Sequence, residues 1–363
     1  MLADSRFPKV PGPNGGDFVF WIWREHSGRT VDWISASVYL FGKTAGRWII
    51  SILTTLCAAV ITWCLMRLFT FHVSPYPKKI TWIAPISLLT LLFSYSATNL
   101  QSLVNLTMYS AAMCNYFVPS ALIFVVLILV LTTEKTLYLY AAAAVGFIAA
   151  TMHEQSAAIL AVLCLLLLII GPQRWHIIHR SAAVLIVVAG IIEMFMAPGL
   201  QNKLSRVAAA APEAPVSLPR RLVTTFYGFS VYFPLTAIMI SAILVIYLIY
   251  YIRSSLHPHW GIILLVSLSF TTLLWSLCRV LLFLDSPASS QALTGLFCML
   301  MMIVWVVVPL LSSEKSVRFG SVIFLCAASS MAIPAAAGLG AVRVFNFPVI
   351  FSWCLKSGLC IFS

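Results

Sequence analysis

The chain has 363 residues, of which 61% are hydrophobic and only 9% are charged, whereas soluble domains carry about 25% charged residues. Apolar segments follow one another from about residue 47 to the C-terminus, without a polar stretch long enough to form a soluble core. The net charge is +12, but the basic residues are scattered through short loops and near helix ends, where membrane topology normally places them. These features exclude a soluble globular protein and a nucleic-acid partner, and they predict an all-α, polytopic integral membrane protein.

The first 46 residues precede the apolar segments. They begin "MLADSRFPKVPGPNGGDF", which has no apolar run after its basic residue, so we expect no signal peptide. The stretch "NGGDFVFWIWREHSGRTVDW" is aromatic-rich and partly amphipathic, as are segments that lie in the membrane interface. We therefore predict an extracytoplasmic or interfacial segment over 1–46. The alternative for Arg24 to Arg29 is an ordinary solvated turn.

Asp17 is the candidate catalytic carboxylate of this segment. It follows Gly15 and Gly16, which permit close approach of the backbone to a ligand. A carboxylate held in a partly dry cleft at a membrane surface can act as a general base toward a hydroxyl group. We predict that role for Asp17.

A membrane domain is predicted over residues 47–345, followed by a C-terminal tail over 346–363. A spanning helix needs about 20 apolar residues, and hydropathy indicates about nine or ten membrane segments. Residues 137–171 are too many for one straight span and barely enough for two, so we predict a tight hairpin of short helices with its apex at Met152 to Gln155. The predicted segments are 47–71, 80–97, 116–133, 137–152, 155–171, 181–197, 222–252, 260–284, 290–311 and 319–341.

The basic residues predict the orientation of these segments. If each segment crosses the membrane once, most of the short basic loops fall on one side, which the positive-inside rule assigns to the cytoplasm. The polar residues that stand out in the sequence then converge on the extracytoplasmic side. That side receives the N-terminal segment, the loop 98–115, the apex at His153 and Glu154, and the loop 198–221.

His153 and Glu154 interrupt two apolar runs in the sequence "TMHEQSAAIL". A charge at membrane depth is costly, so ionisable residues there usually face a cavity or mark a functional site. We predict that Glu154 lies at the rim of an extracytoplasmic cavity, where it binds substrate hydroxyl groups or orients a cation, with His153 beside it. The alternative is a water-exposed turn at the hairpin apex.

Three more candidates precede or end predicted spans. Asn115 and Tyr116 stand ahead of Pro119 at a helix start, where they either donate hydrogen bonds to a sugar or anchor the helix at the interface. Glu193 lies about one turn from the end of its predicted span. It forms either a structural ion pair or a second wall of the same cavity.

Several cations on the predicted outer side oppose the positive-inside rule. Lys203 and Arg206 lie in the longest polar connection between spans, on one face if the segment is helical, and Arg29 lies in the N-terminal segment. An anionic headgroup or phosphate would explain such side chains, and arginine suits phosphate geometrically. The alternatives are solubilisation of the loop and an orientation that is fixed elsewhere.

No cofactor motif accompanies these candidates. The sequence contains no Walker A motif, no G-x-G-x-x-G and no G-x-S-x-G, which argues against an ATP-driven pump or a serine hydrolase. The nine cysteines show no metal-type spacing and no disulfide framework. We therefore expect neither a cofactor nor a bound metal.

Four short motifs follow one another in the chain: an acidic residue before "SGR", the helix start "NYFVP", the intramembrane "HEQSA", and an outward "APG" followed by arginine. In this order they resemble a family of bacterial polytopic proteins related to GT-C glycosyltransferases, which includes O-antigen-modifying glucosyltransferases. The resemblance covers roughly residues 14–310. It implies a GT-C-like fold in the bacterial inner membrane, with a polyprenyl-phosphate-linked sugar donor and a glycan or glycolipid acceptor on the extracytoplasmic side.

The resemblance also implies residue roles. Carried over by position, Asp17 would be the base, Glu154 an acid of the cavity and Arg206 a phosphate ligand. Three features depart from the family pattern. Gly16 precedes Asp17 where paired acids are frequent, "PGLQN" replaces Pro-Gly-Asn, and no membrane helix precedes the first acidic loop, which implies an N-terminally shortened form.

The sequence thus predicts a membrane glycosyltransferase that moves a sugar from a polyprenyl-phosphate donor to a cell-envelope glycan or lipid. A polymerase or ligase of whole glycan units would need a similar cavity. A transporter or flippase of a lipid-linked saccharide should show internal repeats and broken helices in both halves, whereas the polar residues here are expected on one side. A non-catalytic membrane subunit would use them only to pack helices, and it predicts that Asp17 and Glu154 are individually replaceable.

Overall fold

The computed structural model describes residues 28–32, 42–72, 113–171 and 174–202, together with isolated positions at 24, 34, 205, 217, 220, 221, 225, 227, 322, 325, 326, 329 and 330. All regular secondary structure in these residues is helical. The chain divides into two compact units, one of residues 1–68 with 104–215 and one of residues 69–103 with 216–363. The first unit holds nearly all of the described residues. The predicted segments at 80–97, 222–252, 260–284, 290–311 and 319–341, and the predicted tail, lie outside the described stretches.

Three of the described helical stretches are long and apolar enough to cross a membrane. They agree with the segments predicted at 47–71, 116–133 and 181–197, and by length and composition they indicate a membrane protein. The helices are α1 (Gly42–His72), α2 (Val118–Thr132), α3 (Thr136–Met152), α4 (Glu154–Ile170) and α5 (Ile177–Met196), and one π-helical turn, Met113–Phe117, leads into α2.

Helix α1 is apolar on two faces. Ile50, Cys57 and Ile61 are buried against the protein, while the side chains of Trp48 and Trp63 remain 69% and 52% exposed. Large exposed apolar groups are unusual on a water-facing helix, because helices in water keep apolar residues on one stripe. The exposed face of α1 therefore suits contact with lipid.

Helix α3 lies at the centre of the described bundle, where it packs against α2, α4 and α5. Its sequence "TLYLYAAAAVGFIAATM" supplies small side chains that let neighbouring helices approach closely. The tightest approaches involve glycine: a Cβ at Gly146 would lie 3.0 Å from Val187, and a Cβ at Gly190 would lie 2.8 Å from the carbonyl oxygen of Phe147. The contact between α3 and α5 thus depends on these two glycines.

The turn between α4 and α5 is fastened by side chains that bind backbone carbonyls. Arg180 donates from Nη1 to the carbonyls of Leu167 and Gly171 at 3.2 and 3.1 Å. The indole of Trp175 donates to the carbonyl of Glu134 at 3.2 Å. These bonds satisfy carbonyls that helix ends leave without partners. They fix the end of the bundle opposite the break between α3 and α4.

Candidate functional site

A single residue, His153, separates α3 from α4. Its backbone is extended, with φ −157 and ψ 144, so the helical hydrogen bonds stop there. The ring Nδ1 of His153 accepts the backbone N–H of Gln155 at 3.1 Å, and the hydroxyl of Ser156 lies 2.6 Å from the carbonyl of Ala149 and 2.7 Å from that of His153. These bonds satisfy groups that the break frees. The predicted pair of short helices, with their boundary between Met152 and Gln155, is confirmed.

The break is buried. His153 is 4% exposed, Glu154 7% and Gln155 2%. The alternative of a water-exposed turn is therefore wrong. An ionisable side chain in such surroundings needs a partner of opposite charge or hydrogen bonds, because its own desolvation is unfavourable.

Arg29 supplies that opposite charge to Glu154. Its Nη2 lies 2.8 Å from Oε1 and 2.6 Å from Oε2 of Glu154, and the two side chains are only 15% and 9% exposed. Burial by itself lowers the pKa of the Arg29 guanidinium, but the charges of Glu154 and then Asp32 outweigh it, so the pKa is raised overall. Arg29 therefore stays positively charged at any pH at which a protein is studied.

The position of Glu154 in its helix adds to this stabilisation. Glu154 is the first residue of α4, where the partial positive charge of the helix N-terminus favours a carboxylate. His153 Nδ1 is 3.5 Å from Glu154 Oε2. That nitrogen also accepts the amide of Gln155, so a neutral ring carries its hydrogen on Nε2. Arg29 and the helix terminus thus both stabilise the carboxylate of Glu154.

The π-helical turn before α2 lies beside Arg29 and His153. Asn115 accepts from Nη1 of Arg29 through Oδ1 at 3.4 Å, a long hydrogen bond, and the ring of Tyr116 lies 5.1 Å from that of His153. All five residues of the turn are buried. Pro119 explains the irregular start of α2, because it lacks the N–H that would bond to the carbonyl of Asn115. Such π turns are frequent at functional sites.

Residues 28–32 of the N-terminal segment pack against α3 at the same site. Thr30 Oγ1 lies 3.1 Å from Thr151 Oγ1 of α3, and Gly28 and Asp32 are buried. The alternative of a solvated turn over Arg24 to Arg29 is therefore wrong at Gly28 and Arg29, whereas Arg24 is exposed as that alternative expects. Residues 28–32 belong to the packed interior of the first unit.

The structure brings together five of the nine residues predicted for the site: Arg29, Asn115, Tyr116, His153 and Glu154. Glu193 lies on α5 and is half-buried, and its role in a second wall of the cavity stays a prediction. Asp17, Lys203 and Arg206 lie outside the described residues, so their roles also stay predictions. Among the described residues, no group of three or more His, Cys, Asp or Glu side chains could hold a metal ion.

The sequence did not point to Thr30, Asp32 or Thr151 as members of this cluster. Asp32 contributes to the raised pKa of Arg29, and the two threonines join the N-terminal segment to α3. Threonine is common in membrane helices, where it often bonds only to its own helix, so its presence carries little signal. Asp32 carries a clearer signal in the sequence, because its acidic side chain stands three residues after the basic Arg29.

The cluster combines a guanidinium with an amide and a hydroxyl group, which together suit a ligand that carries a negative charge and hydroxyl groups. A guanidinium oriented by a carboxylate presents N–H donors in a fixed plane, which matches phosphate and other oxyanions. The amide of Asn115 and the hydroxyl of Tyr116 are hydrogen-bonding groups that suit sugar hydroxyls. Because Glu154 holds Arg29 in a close ion pair, the geometry favours an orienting role for Glu154 over proton transfer.

Comparison with known proteins gives no match, whether with family models, with curated proteins or with solved structures.

Proposed function

We propose that this chain is a membrane glycosyltransferase that moves a sugar from a polyprenyl-phosphate donor to a cell-envelope glycan or lipid. The observation that carries the proposal is the buried ion pair of Arg29 and Glu154 at the break between α3 and α4. Charged groups among apolar helices are costly and usually mark a site. The neighbouring Asn115 and Tyr116 give the pair the hydrogen-bonding surroundings that a sugar phosphate requires.

In this proposal, Arg29 binds the phosphate of the donor and stabilises the negative charge that the phosphate gains as it leaves. Glu154 orients Arg29, while Asn115 and Tyr116 bind sugar hydroxyl groups. The acceptor hydroxyl gives its proton to Asp17, and its oxygen forms a bond to the anomeric carbon as the bond from that carbon to the phosphate oxygen breaks. The resemblance of the sequence to GT-C-related proteins supports the assignment of Asp17.

The proposed location rests on the resemblance of the sequence and on the charge distribution of the loops. The resemblance to GT-C-related proteins is our reason for proposing a multi-pass protein of a bacterial inner membrane. We propose the extracytoplasmic side for the site, because the short basic loops would define the cytoplasmic side. Lys203 and Arg206 would then face the same compartment as Arg29. A lipid-linked donor reaches such a site from within the bilayer.

A carrier of lipid-linked saccharides is the second candidate. Carriers use discontinuous helices whose N-termini point at anionic substrates, and the break at His153 with Glu154 at the start of α4 is a discontinuity of this kind. A carboxylate at that terminus opposes an anionic substrate, however, unless Arg29 neutralises it. The geometry therefore fits an oriented guanidinium better than an open helix terminus.

The proposal predicts a specific change in the cell-envelope glycan. Cells that lack the gene should lose one sugar substituent, and Glu154→Gln and Asp17→Asn should fail to restore it at protein levels matched by immunoblot. Glu134→Gln is the matched control, because Glu134 is an exposed carboxylate between α2 and α3, and it should restore the substituent fully.

Glycan analysis by mass spectrometry distinguishes the candidates. A deletion strain with unchanged glycan composition would overturn the transferase proposal. Accumulation of the lipid-linked sugar on the cytoplasmic side, with transfer restored when the donor is supplied from outside, would support the carrier instead.

A further inference from the structure

Gly28 lies against the chain that follows α5, in a place with no room for a side chain. Its φ is +69, a left-handed conformation that glycine adopts without strain. A Cβ at this position would lie 2.3 Å from Cβ of Ala197 and 3.4 Å from the backbone nitrogen of Leu200. Ala197 and Leu200 are themselves buried, at 1% and 3% exposure.

Three consecutive residues of the N-terminal segment therefore contact three different parts of the bundle. Gly28 rests on Ala197 after α5, Arg29 binds Glu154 of α4, and Thr30 meets Thr151 of α3. A peptide unit has only two soft dihedral angles per residue. Contacts on both sides of Arg29 thus fix the position of its Cα, and with it the point from which the side chain extends toward Glu154.

We propose that Gly28 is a positioning residue whose close contact with Ala197 sets the place of the Arg29 guanidinium against Glu154. The end of α5 thereby controls the geometry of the site although it supplies none of the paired charges. The consequence for sugar transfer rests on the function proposed above, whereas the positioning itself does not. In this proposal Gly28 acts through the backbone of its neighbour Arg29.

A cross-link between residues 30 and 151 measures how the backbone next to Arg29 lies against α3. The hydroxyl oxygens of Thr30 and Thr151 are 3.1 Å apart, so Thr30→Cys with Thr151→Cys places two sulfur atoms close enough to form a disulfide. Copper phenanthroline oxidises the two cysteines in native membranes. The protein is then denatured and its remaining thiols are labelled with PEG-maleimide, so each disulfide appears as the loss of two adducts. The initial rate of this loss is the cross-linking rate. The parent chain with its nine cysteines gives the background.

Gly28→Ala should lower the cross-linking rate at least about tenfold, because it adds both a left-handed alanine and the overlap with Ala197. Adding Ala197→Gly removes the overlap and should restore the rate to within about fivefold, since only the strain of the left-handed backbone remains. Ala197→Gly alone should stay within about twofold of the parent. Ala197→Val crowds the contact from the other side and should lower the rate at least about fivefold. This variant tests the positioning role if Gly28→Ala does not accumulate in the membrane.

Unchanged cross-linking in Gly28→Ala and Ala197→Val, or no recovery with Ala197→Gly, would overturn the positioning role. Glycan analysis of the same variants without the added cysteines tests the link to function. The sugar substituent should be lost in Gly28→Ala and regained with Ala197→Gly at equal protein level. If cross-linking follows the expected pattern while the glycan never changes, the transferase proposal fails and the positioning role stands.

Discussion

Glu154→Gln should lower the free energy of unfolding by about 3–5 kcal/mol, the usual cost of removing one partner of a buried ion pair. The substitution keeps the size of the side chain but leaves the charged guanidinium of Arg29 in a site that is only 15% exposed. Arg29 keeps its proton in this variant even without the charge of Glu154, because the ordinary pKa of a guanidinium lies far above the pH at which a protein is studied. SDS titration of the purified protein in mixed micelles measures the effect.

A double-mutant cycle separates two contributions to the free energy of unfolding: the cost of leaving one charge without the other, and the net contribution of the pair. Arg29→Gln together with Glu154→Gln removes both charges of the pair and should regain part of the lost stability, since buried ion pairs contribute little over neutral replacements. The recovery is not complete, because the buried Asp32 also loses the nearby charge of Arg29. Glu134→Gln, at an exposed carboxylate, should change the free energy of unfolding by no more than about 0.5 kcal/mol. Equal destabilisation by the single and the double variants would show that the two charges are not coupled.

Gly190→Leu should lower the free energy of unfolding by about 3 kcal/mol, at the upper end for an overpacked site. The first added carbon would already lie 2.8 Å from the carbonyl oxygen of Phe147 and 3.2 Å from its Cα. Backbone atoms in a helix cannot move aside as a flexible side chain can, so α3 and α5 must separate. The same SDS titration measures the loss, together with the amount of protein in the membrane.

Ala189→Leu is the matched control for this prediction. It introduces the same side chain at the adjacent position of α5, where the native residue is exposed. It should leave the free energy of unfolding within about 0.5 kcal/mol of the parent. If both variants lose the same stability, helix propensity or membrane insertion is responsible and the close contact of α3 with α5 is not.

The helices were predictable where the signal is local. The apolar runs that form α1, α2 and α5 are long enough to be found by hydropathy alone. The break between α3 and α4 was predictable as well, because two polar residues interrupt an apolar stretch that is too long for one span. The π-helical turn at Met113–Phe117 was not, since the sequence rule treats a proline near a helix start as ordinary.

The site was predictable only in its parts. Glu154 and Arg29 are each candidates because charged residues near the membrane usually mark a site, but they are 125 residues apart in the chain. Neither hydropathy nor spacing predicts that they meet. The role of Gly28 was hidden for the same reason, because the alanine that excludes a side chain there lies beyond the end of α5. Local patterns thus give candidates, whereas long-range packing decides which of them share a site.

Sugar transfer by the purified protein shows whether the Arg29–Glu154 pair belongs to a sugar-transfer site, as we propose. The measurement follows a labelled sugar from a polyprenyl-phosphate donor to a hydroxyl acceptor in lipid vesicles, for the parent chain and for the double variant with Arg29→Gln and Glu154→Gln. We predict transfer by the parent chain and a rate at least about 100-fold lower for the double variant, with both proteins compared in their folded state. Transfer at the parental rate by a folded double variant would show that the pair takes no part in transfer.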